Sequence, residues 1–473
     1  MRFLRRQGGW ALGAILCATS LSATAELVLP GGDRAPDTRV EPAPEEFLRL
    51  PERPETPASP PPETAQQAET PPPTDEGEAP ETVHRNLSPV PDEPRSVTGV
   101  HAHEAEAWEG EWLLTVDALN DAVGGVQTGF EAVGLVEFLG SVNAEAFGWR
   151  GGHLGLHLAY ALGESPSARV GDVSGVSGID AGGATGFFIW DAWAQQNLPW
   201  WETKLRVGVV DFNNDFYVAD YANLFLNGSF GMGVEVGGGG GTVPTYPATG
   251  PGLEAFFTPV GGSYLNLGLW KGVPDTEGVL RNGDGGWFYV AEGGVKKGTS
   301  GVPGYLKLGL GYWRDTNTLD HWAGDDWQAE GRSGPAFASA PRAGDGGYYL
   351  VAETAVGRRL GLFFKAGRAD PTRNRYGTTY AVGLQANAPL PGRPDDALGL
   401  GLVRTEHSSD FLDYALSEGV RYFRAENVYE ITYSARVGRR WMVQPDFQYV
   451  IQPGMDLTVA NALVLGLRLQ GWW

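Results

Sequence analysis

His153-Leu154-Gly155-Leu156-His157-Leu158-Ala159-Tyr160 decides the fold when it is read with a period of two. One face is Leu154, Leu156, Leu158 and Tyr160; the other is His153, Gly155, His157 and Ala159. Side chains alternate in this way on a β-strand, whereas a helix would repeat every 3.6 residues. The same split recurs along the chain. Leu265, Leu267 and Leu269 oppose Asn266 and Gly268, and Leu306, Leu308 and Leu310 oppose Lys307, Gly309 and Gly311. Leu398, Leu400 and Leu402 alternate with Gly399 and Gly401, and Tyr429, Ile431 and Tyr433 with Glu430, Thr432 and Ser434. The chain ends on Leu463, Leu465, Leu467 and Leu469 against Val464, Gly466 and Arg468, with Trp473 in the leucine parity.

A soluble β-sandwich also alternates, but its second face carries varied solvent-facing polar residues. Here the second face is glycine with scattered charge, which suits a crowded wet interior, and the leucine face suits lipid. The class expected is all-β, a transmembrane antiparallel barrel. Residues 98 to 473, at roughly 10 residues per strand plus turns and loops, make about 16 strands, with 14 to 18 accommodated. Segments rich in Gly, Asp and Pro read as loops: Gly171 to Gly186, Gly237 to Pro251, Thr316 to Gly346 and Glu406 to Gly419. The third is the longest and is the one expected to fold inward. Trp270, Tyr312, Trp313 and Trp441 read as interfacial aromatic girdles.

The N-terminus carries Arg2, Arg5 and Arg6, an apolar stretch from Trp10 to Leu21 and the small-residue site Ala23-Thr24-Ala25. This order reads as a secretory signal peptide, residues 1–25, cut before Glu26. Leu16 before Cys17 does not fit a lipoprotein site, and the surroundings of Arg5-Arg6 do not support a folded-export signal. With Cys17 inside the signal, the mature chain has no cysteine, and disulfides and thiolate metal sites are excluded. Past the signal no run of about 18 apolar residues occurs, so a closed barrel is the remaining way to span a membrane.

Residues 26–97 hold 17 of the 33 prolines, including Pro60-Pro61-Pro62 and Pro71-Pro72-Pro73, among many glutamates. Too few large apolar residues remain there to offset ordering entropy, so a disordered periplasmic spacer is expected. At about 3.1 Å per residue in polyproline II, it could reach roughly 200 Å, far enough to serve as a tether to cell-wall material. The net charge of -22 becomes -25 when the three signal arginines are subtracted, which disfavours nucleic acid as a partner.

Catalytic and metal-binding patterns are missing. Neither a Gly-x-Ser-x-Gly elbow nor a Ser-His-acid set is present, so no enzyme is expected. His153 and His157 on a strand stand about 13 Å apart, too far for one metal, and read as pore-lining polar residues. The Gly237 to Gly241 run lacks the Lys-Ser/Thr end of a phosphate loop. Asp211, Asn213 and Asp215 open like a calcium loop, but the Gly and Glu that should follow are missing, and turn capping is the expected role.

Leu205-Arg206-Val207-Gly208-Val209-Val210-Asp211-Phe212-Asn213-Asn214-Asp215-Phe216, followed by Leu224-Phe225-Leu226-Asn227-Gly228-Ser229-Phe230-Gly231, resembles the carbohydrate-selective porins of the OprB type. Asp191-Ala192-Trp193-Ala194-Gln195, Tyr246-Pro247 and Pro445-Asp446-Phe447-Gln448-Tyr449-Val450-Ile451-Gln452-Pro453-Gly454 extend the similarity from about Val116 to the C-terminus. The Pro-rich segment and the terminal Trp, where Phe is commoner, depart from the usual pattern. The resemblance implies a 16-stranded outer-membrane porin passing small sugars down their gradient without a cofactor, after insertion by the barrel-assembly machinery. Its surroundings would be outer-membrane lipid and lipopolysaccharide.

Sugar selection needs aromatic faces and fixed donors and acceptors. Strand parity puts Lys204 and Arg206 on one inner face, Lys307 and Trp313 on another, and Glu430, Asp446, Gln448 and Arg468 on later strands. Arg206, Lys204 and Lys307 are the expected donors, Trp193 the expected stacking face, with Gln195 and Asp211 beside them. A general diffusion porin, and a structural barrel linking outer membrane to cell wall through residues 26–97, are the alternatives. An energy-coupled transporter would need a globular plug, which the Pro-rich segment cannot form.

Overall fold

The structure is a computed structural model that describes residues 107–237, 243–272, 285–322 and 339–473; the expected signal peptide and Pro-rich segment lie outside the described residues. Strands run Trp108–Gly125 (β1), Gly129–Asn143 (β2), Gly152–Leu162 (β3), Gly186–Leu198 (β4), Thr203–Val210 (β5), Gly250–Phe257 (β6), Ser263–Lys271 (β7) and Trp287–Lys297 (β8). The second half comprises Leu306–Trp322 (β9), Ser339–Val356 (β10), Leu360–Ala369 (β11), Tyr376–Asn387 (β12), Ala397–His407 (β13), Ala425–Val437 (β14), Trp441–Ile451 (β15) and Ala460–Trp472 (β16). Each strand pairs antiparallel with its sequence neighbours, and β1 pairs with β16, which closes the sheet into a 16-stranded barrel.

The seam runs from Leu113 opposite Trp472 to Gly125 opposite Ala460. Trp473 extends it, exchanging backbone hydrogen bonds with Trp112 at 3.0 Å in both directions. Its ring stands edge-on to Trp441 and is 49% exposed, on the lipid side with the leucine row. No helix among the described residues is long and apolar enough to cross a membrane.

Both ends of the barrel sequence lie at one rim, where the longest connection is 388–396; the opposite rim carries 163–185, 211–249 and 408–424. In outer-membrane barrels the short turns are periplasmic and the long loops extracellular. Trp108, Trp112, Trp200, Trp201, Trp441 and Trp473 are exposed at the short-turn rim. Phe130, Tyr160, Phe187, Tyr289, Tyr312 and Tyr348 are exposed toward the other. Tyr312 and Trp441 therefore sit in girdles as expected, but Trp270 and Trp313 do not. Both are buried inside the barrel, because they share the parity of the inward residues Gly268 and Lys307.

The loop expectations also need correction. Thr316 to Gly346 is strand at both ends, since β9 continues to Trp322 and β10 starts at Ser339; residues 323–338 lie outside the described residues. Gly237 to Pro251 is only the tail of a longer connection beginning at Asp211. Its described residues 211–237 enter the lumen. The inner-wall glycines make room for it. A Cβ on Gly401 would stand 2.5 Å from Phe230 and 2.7 Å from Phe225, and one on Gly361 would overlap the Tyr221 ring.

Leu467 is 47% exposed near the middle of β16. Leu467→Arg should lower barrel stability by about 2–4 kcal/mol, the depth-dependent cost of a lipid-facing cation at mid-bilayer. Urea unfolding in lipid vesicles measures it, and an unchanged midpoint would place this face away from lipid.

Candidate constriction site

The connection from β5 to β6 starts where Asp211 caps a helical turn, Phe212–Asp215, by accepting from Asn213 N at 2.7 Å. The other Asp211 oxygen accepts from Trp190 Nε1 at 2.8 Å and Tyr246 N at 2.9 Å, so it ties the start of the connection to its end. Asp191 on β4 accepts from Asp211 N and Asn214 Nδ2. Burial, and next the neighbouring Asp191, push the Asp211 carboxyl up to about 6. The calcium-like triplet does not converge on an ion: Asn213 Nδ2 donates to Phe216 O and Gly231 O, and Asp215 binds Arg206. Among the described residues no group of three or more His, Cys, Asp and Glu is arranged to hold a metal.

From there the connection crosses the lumen as a strap along the inner wall. Phe212 and Phe216 are fully buried against Trp270 and Phe288. Tyr217 stacks on Tyr349 at 4.3 Å, and Phe225 on Phe230 at 4.2 Å with Phe363 edge-on to both.

Polar wall residues match the strap's backbone in sign. Carboxylates accept its N–H groups: Glu292 from Tyr217 at 2.9 Å, Glu353 from Tyr221 at 3.2 Å, and Glu430 from Leu226 at 2.6 Å and Asn227 at 3.1 Å. Amines and amides donate to its carbonyls: Lys307 to Val218 O at 2.7 Å, Gln444 to Leu224 O at 2.7 Å and Lys365 to Phe230 O at 2.9 Å and to Gly231 O. A buried charge is costly unless it is hydrogen-bonded, and here the strap supplies the bonds.

A second inward segment, from the β3–β4 connection, completes the structure. Gly178 N donates to Leu226 O and Gly228 N to Gly175 O, so the two segments pair with each other. Glu426 accepts from Val173 N, Ser174 N and Ser174 Oγ, and Ser177 Oγ donates to Asp117.

All the residues singled out from sequence on strand parity face inward, but most are engaged in building this constriction. Arg206 donates to Asp215 at 2.5 Å, Glu254 at 3.0 Å and Gln195 at 3.3 Å. Trp193, expected as a stacking face, is 5% exposed, with the Arg206 guanidinium 4.7 Å from its ring centre and Gly155 against its edge. Lys307, Glu430 and Gln448 hold the inward segments, Gln448 through Asn227 Nδ2 at 3.2 Å and Val176 O at 2.8 Å. Arg468 makes a two-pronged pair with Asp117, and Asp446 accepts from Gln448. Trp313 stacks with Phe288. His157 is not a pore-lining group: it is buried between Glu137 at 3.0 Å and the Trp190 ring.

Lys204 differs, being half-buried in register with the half-buried Phe256, while Asp215, bound to Arg206, is 22% exposed. Sequence reading missed Glu292, Glu353 and Lys365, whose inward parity was visible but whose partners are backbone atoms of a distant segment.

Glu430→Gln replaces one of two acceptors with a donor facing Leu226 N or Asn227 N. The barrel should still show heat-modifiable mobility in SDS gels, while single-channel conductance rises and becomes noisy as residues 224–231 loosen. A quiet channel of unaltered conductance would mean that this anchor does not hold the strap.

Comparison with known proteins agrees with the geometry. The model of the carbohydrate-selective porin, OprB family, matches residues 143–471. Porin B of Pseudomonas aeruginosa is 25% identical over 340 residues, covering 64% of this chain and 71% of that protein. The high-pH structure of Pseudomonas putida OprB superposes with a TM-score of 0.67 at 20% identity, over 78% of this chain and 94% of that one. With a closed 16-stranded barrel, an inward strap after β5 and a family match spanning most of its length, this chain belongs to the OprB family of carbohydrate-selective outer-membrane porins.

Proposed function

We propose that the barrel passes small sugars passively and that discrimination occurs where the β5–β6 strap narrows the lumen. Family membership supports the substrate class, and the observation that carries the site is the strap itself, held by Glu292, Glu353, Glu430, Lys307 and Lys365. A sugar presents C–H faces to an aromatic ring and hydroxyls to donors and acceptors, and selective passage requires contacts weak enough to release. Lys204 and Phe256, in register, offer a donor and a ring on the inner wall, and Asp215, held by Arg206, offers an acceptor. The remaining residues act by fixing the gap.

Planar-bilayer conductance under glucose titration tests this reading. Glucose should block the wild-type current saturably. Lys204→Ala should weaken block about tenfold, the worth of a charge-assisted hydrogen bond, with little change in open conductance. Replacing residues 212–236 by a short Gly-Ser linker should raise conductance and abolish saturation. Equal liposome swelling by glucose and a non-sugar solute of the same size would instead make this a general diffusion porin.

A tether through residues 26–97 is a second reading, favoured because β1 begins at the short-turn, periplasmic rim. Deleting residues 26–97 should weaken envelope integrity while leaving solute flux unchanged, and an intact envelope would count against it.

A further inference from the structure

The outer face of β7–β13 carries basic residues at one height, in register with aromatic rings. Tyr348 on β10 is directly opposite Arg368 on β11, and Tyr380 on β12 is opposite Arg404 on β13. Tyr289 opposite Arg314, and Lys271 opposite Trp287, continue the row. Arg368 shares the outward parity of Phe364, and Arg404 that of Leu400, while their neighbours Gly367, Val403 and Thr405 are buried inward. Tyr348 is 67% exposed and Tyr380 42%, so this is the aromatic girdle of the long-loop rim. On β2 to β4 the corresponding outward aromatics are Phe130, Tyr160 and Phe187.

The charges gather around β12. Thr378 is in register with both Arg368 and Glu406. Glu406 is shared by Arg404 Nε at 2.7 Å and by Arg424 Nη2 at 3.4 Å, and Arg404 Nη1 also donates to Asn427 Oδ1 at 2.9 Å. Arg424 remains 75% exposed, and Arg368 is exposed without a hydrogen-bond or ion-pair partner among the described residues. Two guanidiniums thus share one carboxylate at this rim, and Arg368 stands in the same row across Thr378, in a chain whose net charge is -22.

From this register we infer that Arg368, Arg404 and Arg424 form an external docking site for the phosphate groups of a phosphorylated glycolipid in the outer leaflet. The adjoining Tyr348 and Tyr380 would seat its sugar and upper acyl region. Guanidinium forks match phosphate oxygens bidentately, and the ring of an interfacial tyrosine spans the polar and apolar zones of such a lipid. The surplus of positive charge distinguishes this sector from a neutral girdle, which would gain nothing from phosphate.

Binding can be measured on the full barrel in nanodiscs titrated with diphosphoryl lipid A, with the same glycolipid after dephosphorylation, and with inorganic phosphate. Wild type should bind the diphosphoryl form much more tightly than the dephosphorylated one, and millimolar phosphate should not displace it. Each basic residue near an anionic surface contributes about 1 kcal/mol, roughly fivefold, so R368Q/R404Q/R424Q should bind the diphosphoryl form on the order of 100-fold more weakly. Its affinity for the dephosphorylated form, its heat-modifiable mobility and its conductance should not change. Should the triple variant fail to fold, R368Q alone, altering one exposed side chain, should lose about fivefold. Equal wild-type affinity for the two glycolipids, retained affinity in the variants, or displacement by inorganic phosphate would each overturn the assignment.

Discussion

Inside a bilayer there is no water to take the hydrogen bonds of an unpaired strand edge, and an open sheet of this length would leave two such edges in hydrocarbon. The pairing of β1 with β16 removes both edges. It also brings Trp473 against Trp112 and Trp441 at the periplasmic rim, where an indole has one side in lipid and the other near headgroups. Everything else follows from that closure: an outside that must be apolar, and an inside where polar groups are allowed only if they find partners or water.

The inside is built in two layers. The wall contributes glycines where aromatic side chains press against it, and carboxylates, lysines and glutamines where a backbone crosses it. The strap then supplies aromatics for the glycines, and N–H and C=O groups for the charges. Each layer would be unfavourable alone. A bare ring of Glu292, Glu353 and Glu430 would repel itself, and the strap from Asp211 to Gly237 would carry unpaired backbone into a narrow lumen. Together they make a constriction whose position is set by many short, charge-assisted bonds rather than by one hinge.

The outside is less uniform than a generic apolar band. Its aromatic girdles follow the two interfaces, and on the β7–β13 sector of the long-loop rim Lys271, Arg314, Arg368 and Arg404 each face an aromatic ring on the neighbouring strand. The two faces of one strand accordingly do different work: on β11, Lys365 holds the strap inside while Arg368 projects outward three residues later.

Period-two alternation alone determined the barrel, the inward set that includes Arg206, Lys307, Glu430, Gln448 and Arg468, and the lipid-facing place of Trp473, because parity on a strand is a local property. The residues from Leu205 to Gly231 also pointed to the OprB family before any coordinates. Three things were decided only by tertiary structure. The β5–β6 connection proved to be a strap into the lumen, and Thr316 to Gly346, loop-like in composition, pairs as strand at both described ends. Trp270 and Trp313 are interior, because parity outweighs the general preference of tryptophan for interfaces. Of the expected sugar donors, Lys307 holds strap backbone and Arg206 is paired with Asp215 and Glu254, and the reason the strap's anchors could not be read locally is physical: a wall residue's partner lies some 70 to 220 positions away in the chain, as for Tyr217 with Glu292 or Leu224 with Gln444, and only closure of the barrel brings the two together.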